Sequence, residues 1–385
     1  MLSGVHRHIR QDRVVYGRPA PEVLGELLDA YGKARVLVIS TASLSGPGGL
    51  ASRIAAGLGG RCAGLFGAVS AHSPRDAVIA AAAEARRADA DLLVGVGGGS
   101  VADAAKVVQL CVWQGLTRAS ELDAWRAGAG APPAPPADPL RAIAVPTTLS
   151  AAEFTPFAGV TDTVRHAKEG YGHPLFVPRA VILDPAMTLE TPARLWFSTG
   201  IKAVDHCVEQ LCSLERAPWA DALAADGLAR LAAALRATHA EPGDLDARLD
   251  CQIGMWLAIS GASAGRGLGA SHAIGHTLGG RLGVPHGLTS CVALPAVLAW
   301  NEPADAGRQS LVARLIGGAP GASAAEAVRT LCRDLGLPTR LAEVGVGPDQ
   351  FAAIAEATMH DAGVRLNPRP IRGPADIVEI LKLAA

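Results

Sequence analysis

Residues 269–287 read GASHAIGHTLGGRLGVPHG and place three histidines within fifteen positions. His272 and His276 stand four apart, on one face of a helix, and His286 follows a Gly-Gly break. His206 lies in another stretch with helical spacing. A lone histidine of this kind is most often a satisfied polar core residue. Gathered at a domain seam, imidazoles suit either a divalent metal or proton transfer to a substrate oxygen. A second chemistry-bearing stretch is DLLVGVGGGSVADAAK, residues 91–106. It reads as a buried strand that runs into Gly97, Gly98 and Gly99 and then opens a helix with Ser100 as its N-cap. Backbone without Cβ atoms, unpaired N–H groups and the positive end of a helix dipole together cradle a phosphate. Standing alone, a GGGS run is a weak signal, its plainer reading a tight strand-to-helix turn.

The elements that must position these residues divide the chain in two. Short β-branched runs alternate with helical stretches up to about Leu149: ARVLVIS (34–40), a helix from about Gly48, RCAGLF (61–66), a helix over 74–88, DLLVGV (91–96), a helix after Ser100 and RAIAVPTT (141–148). That alternation predicts βαβ units and a mostly parallel sheet with helices on both faces. Ligands in such sheets sit beyond the carboxyl ends of the strands, where the glycine run lies. Thr147 and Thr148, after Pro146 at a strand end, offer hydroxyls to that ligand, and Lys168, read as a loop residue, could reach a ribose or phosphate. FTPFAGVTDT (154–163) and RAVILDP (179–185) read as extended, and AGAGAPPAPPADP (127–139) as a low-complexity surface loop. From Pro192 onward every periodic segment is helical. The expected domains are an α/β nucleotide-binding domain over 1–189 and an all-α domain over 190–385, with the active site in the cleft between them.

Composition narrows the partners. The 385 residues carry a net charge of −1 without a Lys/Arg block or acidic tail, which argues against nucleic acid and membrane surfaces and for a small molecule. Seven scattered cysteines without a CxxC pair suit reduced packing residues of a cytoplasmic protein. Neither a signal peptide nor an 18-residue apolar span is expected.

GGGSVADAAK, VPTT, TGIKAVDHCVE, HAIGHTLGG and VPHG, in this order and spacing, resemble the iron-containing (group III) alcohol dehydrogenase superfamily over nearly the whole chain. The resemblance implies a Rossmann-like domain followed by a helical one, in a dehydroquinate synthase-like architecture, with NAD(P)H as cofactor and hydride transfer as chemistry. It also implies a residue set. Metal-dependent members hold iron or zinc with one Asp and three His; carried over, the histidines are His206, His272 and His286, and His276 falls beside the nicotinamide and substrate. At the Asp position, two residues after Gly200 and four before His206, stands Lys202. Asp205, three positions further along the helix, would point elsewhere. An ammonium in place of a carboxylate changes the local charge by two units and repels a divalent ion, so no catalytic metal is expected.

Further matches lie with the maleylacetate reductases, the branch regarded as metal-independent: RVLVIST (35–41), AHSP (71–74), RVVYG (13–17) and NPRPI (367–371). This chain departs from that branch at Lys202, where Asn is usual, at PHGL (285–288) in place of PHAE, and at Asp103, where a second glycine-rich pattern is usual. The expected catalytic residues are Lys202, His206, His272, His276 and His286. The cofactor is expected on Thr41, Gly97, Gly98, Gly99, Ser100, Asp103, Thr147, Thr148 and Lys168. Thr41 stands where members that prefer NAD often place an Asp, so NADPH should be tolerated. The expected substrate is a carbonyl compound or oxo acid of the maleylacetate type. Alternatives are a metal-free alcohol or aldehyde reductase, a metal-dependent alcohol dehydrogenase using Asp205 or a water, and a non-catalytic nucleotide-binding paralogue. A homodimer is expected, with the RVVYG strand available to pair across it.

Overall fold

A computed structural model gives the fold of residues 6–130 and 134–385. Residues 131–133 of the low-complexity loop fall outside this range. The chain forms two compact units, one of Ile9–Glu190 and one of Thr191–Ala385 together with the described residues ahead of Ile9.

The first unit runs β1 (Arg13–Tyr16), α1 (Ala20–Tyr31), β2 (Val36–Ile39), α2 (Ala42–Ser45), α3 (Leu50–Leu58), β3 (Cys62–Phe66), α4 (Arg75–Arg87), β4 (Leu92–Gly97), α5 (Gly99–Trp113), β5 (Arg141–Pro146), β6 (Phe157–Asp162), β7 (Ala167–Gly172) and β8 (Ala180–Leu183). Six of the strands form one parallel sheet in the order β1-β8-β5-β4-β2-β3, while β6 and β7 pair antiparallel on their own. The strand period of two explains why the VLVI run of β2 is buried throughout. Val36 and Val38 face a core shared with Leu24, Leu50 and Ile54; Leu37 and Ile39 face another shared with Val78, Val101 and Val108. Helices thus cover both faces, as a parallel sheet requires.

Two expectations are corrected here. Ser100 is not the N-cap. Gly98, in extended backbone, takes that place because its carbonyl already accepts from Ala102 N–H at 3.1 Å, and α5 therefore begins at Gly99. Lys168 is not in a loop but on β7, opposite Thr161. The two glycines of AKEGYG mask its alternation in the sequence, while the alternating burial of β6 and β7 shows it.

The second unit is helical: α6 (Ala193–Leu211), α7 (Pro218–Ala240), α8 (Leu245–Ser263), α9 (Ala270–Leu282), α10 (His286–Leu315), α11 (Ala324–Asp334), α12 (Phe351–Thr358) and α13 (Pro374–Leu383). Among the described residues it contains no strand, and no helix of the chain is long and apolar enough to cross a membrane.

Candidate active site

In the first unit the chemistry-bearing residues collect where β4 and β5 end. Thr147 N–H donates to the Gly97 carbonyl at 3.0 Å, which joins the two strand ends into one ledge. The segments approach closely at the glycines. A Cβ on Gly98 would fall 2.9 Å from Thr148 Cγ2, and one on Gly99 would fall 3.1 Å from Ser150 Oγ. Gly97 has φ +154°, a conformation that favours glycine. Thr148 Oγ1 is buried without a hydrogen-bond partner among the described residues, and no side chain caps α5. The ledge therefore keeps an unpartnered hydroxyl beside helix N–H groups that no side chain caps.

The other first-unit candidates surround this ledge in different roles. Ser100 Oγ accepts from His72 N–H at 3.1 Å, and the Ser100 carbonyl accepts from Ser73 Oγ at 2.7 Å, so the AHSP segment is tied to the start of α5. Burial, and then the Lys168 ammonium, lower the pKa of His72, which places Lys168 near the same helix start. Thr41 caps the carboxyl end of β2 as N-cap of α2, with its hydroxyl 3.0 Å from Ser43 Oγ. Asp103 faces inward: it accepts from Gly159 N–H at 3.1 Å and lies 3.6 Å from Lys106 Nζ. Lys106, fully buried, donates to the carbonyls of Ala152 and Phe157, each at 2.6 Å. This pair braces the segment after β5 from below.

In the second unit all four histidines come together. The His206 and His272 rings stack with centroids 4.9 Å apart, His272 meets His276 edge-on at 6.3 Å, and His276 stacks on His286 at 5.8 Å. His206 sits on α6, His272 and His276 on α9, and His286 opens α10. Gly287 explains how the last arrives: a Cβ there would fall 2.7 Å from the Ser198 carbonyl carbon, so only glycine lets α10 begin against the backbone of α6. Lys202 lies on the buried face of α6, and its charge acts on Asp205, His206, Glu209 and His272 alike.

Three carboxylates complete the row: Glu209 and Asp361, which the sequence reading did not assign, and Asp205, which it held only as an alternative metal ligand. Glu209 Oε2 lies 2.7 Å from His272 Nδ1, and the same carboxylate accepts from the N–H groups of Gly269 and Ser271, each at 2.7 Å. Asp205 accepts from the hydroxyls of Ser271 at 2.8 Å and Ser290 at 2.7 Å. Asp361 Oδ2 lies 2.8 Å from Nδ1 of the exposed His276. Glu209 was visible as the last residue of TGIKAVDHCVE, one turn beyond Asp205 and His206; Asp361 carries no local signal.

Burial controls the charges in this row. It raises Asp205, lifts Glu209 to about 7 against its hydrogen-bond donors, and drives His206 well below the ordinary imidazole value. His272 falls to about 3, first through burial and then through Lys202. Both histidines are thus neutral at pH 7, and His272 Nε2 is buried without a partner among the described residues.

Residues 11–185 match the family model described as iron-containing alcohol dehydrogenase, and residues 196–385 match the one described as Fe-containing alcohol dehydrogenase family, C-terminal. A maleylacetate reductase of Burkholderia cepacia is 33% identical over 368 residues, 95% of this chain and 94% of that one. The crystal structure of maleylacetate reductase from Rhizobium sp. strain MTP-10005 aligns with a TM-score of 0.84 at 30% identity, covering 100% of this chain and 98% of that chain. A sulfoacetaldehyde reductase from Bifidobacterium kashiwanohense in complex with NAD+ shares the fold, with a TM-score of 0.87 at 21% identity over 100% and 99% of the two chains.

Proposed function

The chain belongs to the iron-containing alcohol dehydrogenase family and is an NAD(P)-dependent oxidoreductase, and we propose that it reduces an oxo acid of the maleylacetate type without a catalytic metal. Lys202 carries this reading. It is a buried lysine on the face of α6 that also presents His206, and its charge acts on Asp205, His206, Glu209 and His272.

The β4–α5 ledge suits the pyrophosphate of the cofactor, because Thr148 Oγ1 and the uncapped N–H groups of α5 remain to be satisfied. NAD(P)H, when bound, supplies the hydride. The side chains meet the rest of the reaction. As the hydride adds to a carbonyl, or to a double bond conjugated to one, the electron pair moves onto the substrate oxygen. The Lys202 ammonium stabilises that charge, and His276 delivers the proton. A cationic residue at this place also suits a substrate that carries carboxylates, in keeping with the names of the relatives at 30% identity and above.

The donor set supports the metal-free reading. Carried over from the resemblance, three imidazoles and one ammonium face the place of the ion, and an ammonium cannot donate a lone pair. One arrangement favours a metal-dependent reading: Asp205, Glu209 and His272 bring ligand atoms within 4.8 Å of one another. Glu209 already accepts from three donors and Asp205 Oδ2 from two hydroxyls, while Asp205 Oδ1 is buried without a hydrogen-bond partner among the described residues.

Dialysis against a strong chelator, followed by elemental analysis, tests the proposal directly. Full NADH- or NADPH-dependent turnover of maleylacetate at sub-stoichiometric metal is expected. Activity that returns only with Fe²⁺ or Zn²⁺ would overturn it.

A further inference from the structure

His276 differs from the other histidines of the row in being exposed, and besides its ring contacts with His272 and His286 its side chain has a hydrogen-bond partner from far along the chain. Asp361 stands at the head of a short 3-10 turn, Ala362–Leu366, with Oδ2 2.8 Å from His276 Nδ1 and Oδ1 accepting from Gly363 N–H at 2.8 Å. Both carboxylate oxygens are thus committed.

The backbone around Asp361 is equally constrained. A Cβ on Gly363 would fall 2.7 Å from the Gly269 carbonyl and 2.9 Å from that of Leu268, so this turn lies directly on the residues that open α9. The NPRP motif fastens the far end. Asn367 and Asn301 exchange amide hydrogen bonds of 2.7 and 2.9 Å, while Arg369 donates to the Trp300 carbonyl at 2.8 Å with its guanidinium 3.6 Å over the Trp300 ring. One end of the segment is held by α9 and the other by α10.

We propose that Asp361 is a positioning residue for His276: it keeps a proton on Nδ1, so that the proton delivered to substrate is the one on Nε2. In that step the Nε2–H bond of the imidazolium breaks, an O–H or C–H bond forms on the reduced substrate, and the neutral imidazole keeps hydrogen on Nδ1, still bonded to the carboxylate. The NPRP clamp and the Gly363 contact are then part of the catalytic frame. The carboxylate is suited to this work, since the His276 hydrogen bond holds its pKa below the usual range. The inference rests on the proposed role of His276 as proton donor.

Single-turnover hydride transfer at saturating substrate in H276A, D361A and the double variant, with ¹⁵N NMR of the His276 ring, separates the two ideas. The expected result is a tenfold to hundredfold slower step in D361A, the range seen for the hydrogen-bond partners that orient metal-ligating imidazoles. Cofactor KM should stay within about twofold, and the double variant should be no slower than H276A. The Nδ1 resonance should lose its protonated signature in D361A. D361N, whose amide oxygen can still accept from Gly363, carries the same measurements if the alanine variant does not fold. A slow H276A beside a D361A of wild-type rate, or an unchanged Nδ1 signature, overturns the positioning role alone. An H276A of wild-type rate overturns both this role and the reading of His276 as donor.

Discussion

The glycine ledge and the histidine row, to which the proposed function gives cofactor binding and chemistry, are built in opposite ways. At the ledge, small residues clear space for the backbone to do the recognising. Two strand ends meet through Thr147 N–H and Gly97 O, and Thr148 is nearly the only side chain left to contribute. In the row, side chains are everything, and three of them are held by a second residue. Glu209 aims His272, Asp361 aims His276, and the hydroxyls of Ser271 and Ser290 hold Asp205. A site made of backbone tolerates no added volume; a site made of aimed side chains tolerates no lost charge.

The sharpest break of that contrast is Lys202→Met, which keeps the length of the chain and removes the charge. If the ammonium stabilises the developing oxyanion, kcat falls on the order of 10²–10³-fold, as when a preorganised donor is removed, while the KM for cofactor stays put. A loss confined to cofactor KM would assign Lys202 to binding and end its catalytic role. The complementary change is Gly98→Ala. The new Cβ, 2.9 Å from Thr148, forces the ledge apart. Cofactor KM should rise about tenfold, on the order of one hydrogen bond to a charged group, with kcat at saturating cofactor little changed. The steady-state kinetics of both variants, side by side, check whether the two regions divide binding from chemistry.

The same contrast decides what was legible in the sequence. The ledge is contiguous, so GGGS and VPTT announced it, and the buried VLVI run announced the parallel sheet. Where the sequence misled, a local competitor won: Ser100 is a good capping residue, yet the Gly98 carbonyl had already started the helix, and the glycines of AKEGYG hid the strand that carries Lys168. In the row, His206, His272, His276 and His286 could be picked out because imidazoles at helical spacing are rare enough to notice. Of their aiming carboxylates, Glu209 stood at the end of TGIKAVDHCVE, but Asp361 could not be picked out. Asp361 lies 85 residues from His276, and nothing about an isolated Asp predicts which turn the packing of Gly363 on Gly269 will bring home.

The smallest expected effect lies within the row, where Glu209 and His272 touch but pull stability in opposite directions as pH changes. His272 drops from 6.5 to about 3 on folding, so between those values the unfolded chain binds more protons, and the contribution present above pH 6.5 is lost as pH falls toward 3. Glu209 rises from 4.5 to about 7, so the folded chain binds more protons in that window, and the contribution present below pH 4.5 is lost as pH rises toward 7. Between pH 4.5 and 6.5 the two slopes oppose each other. Glu209→Gln removes the falling one and leaves an amide oxygen for the N–H groups that open α9. Its urea midpoint should therefore climb more steeply with pH across that window than the wild-type midpoint does. Gly98→Ala, which changes no titratable group, should shift the midpoint by the same amount at every pH. Parallel curves for wild type and Glu209→Gln would mean that the carboxylate is ionised in the folded chain throughout the window, with the donors at Gly269, Ser271 and His272 outweighing its burial.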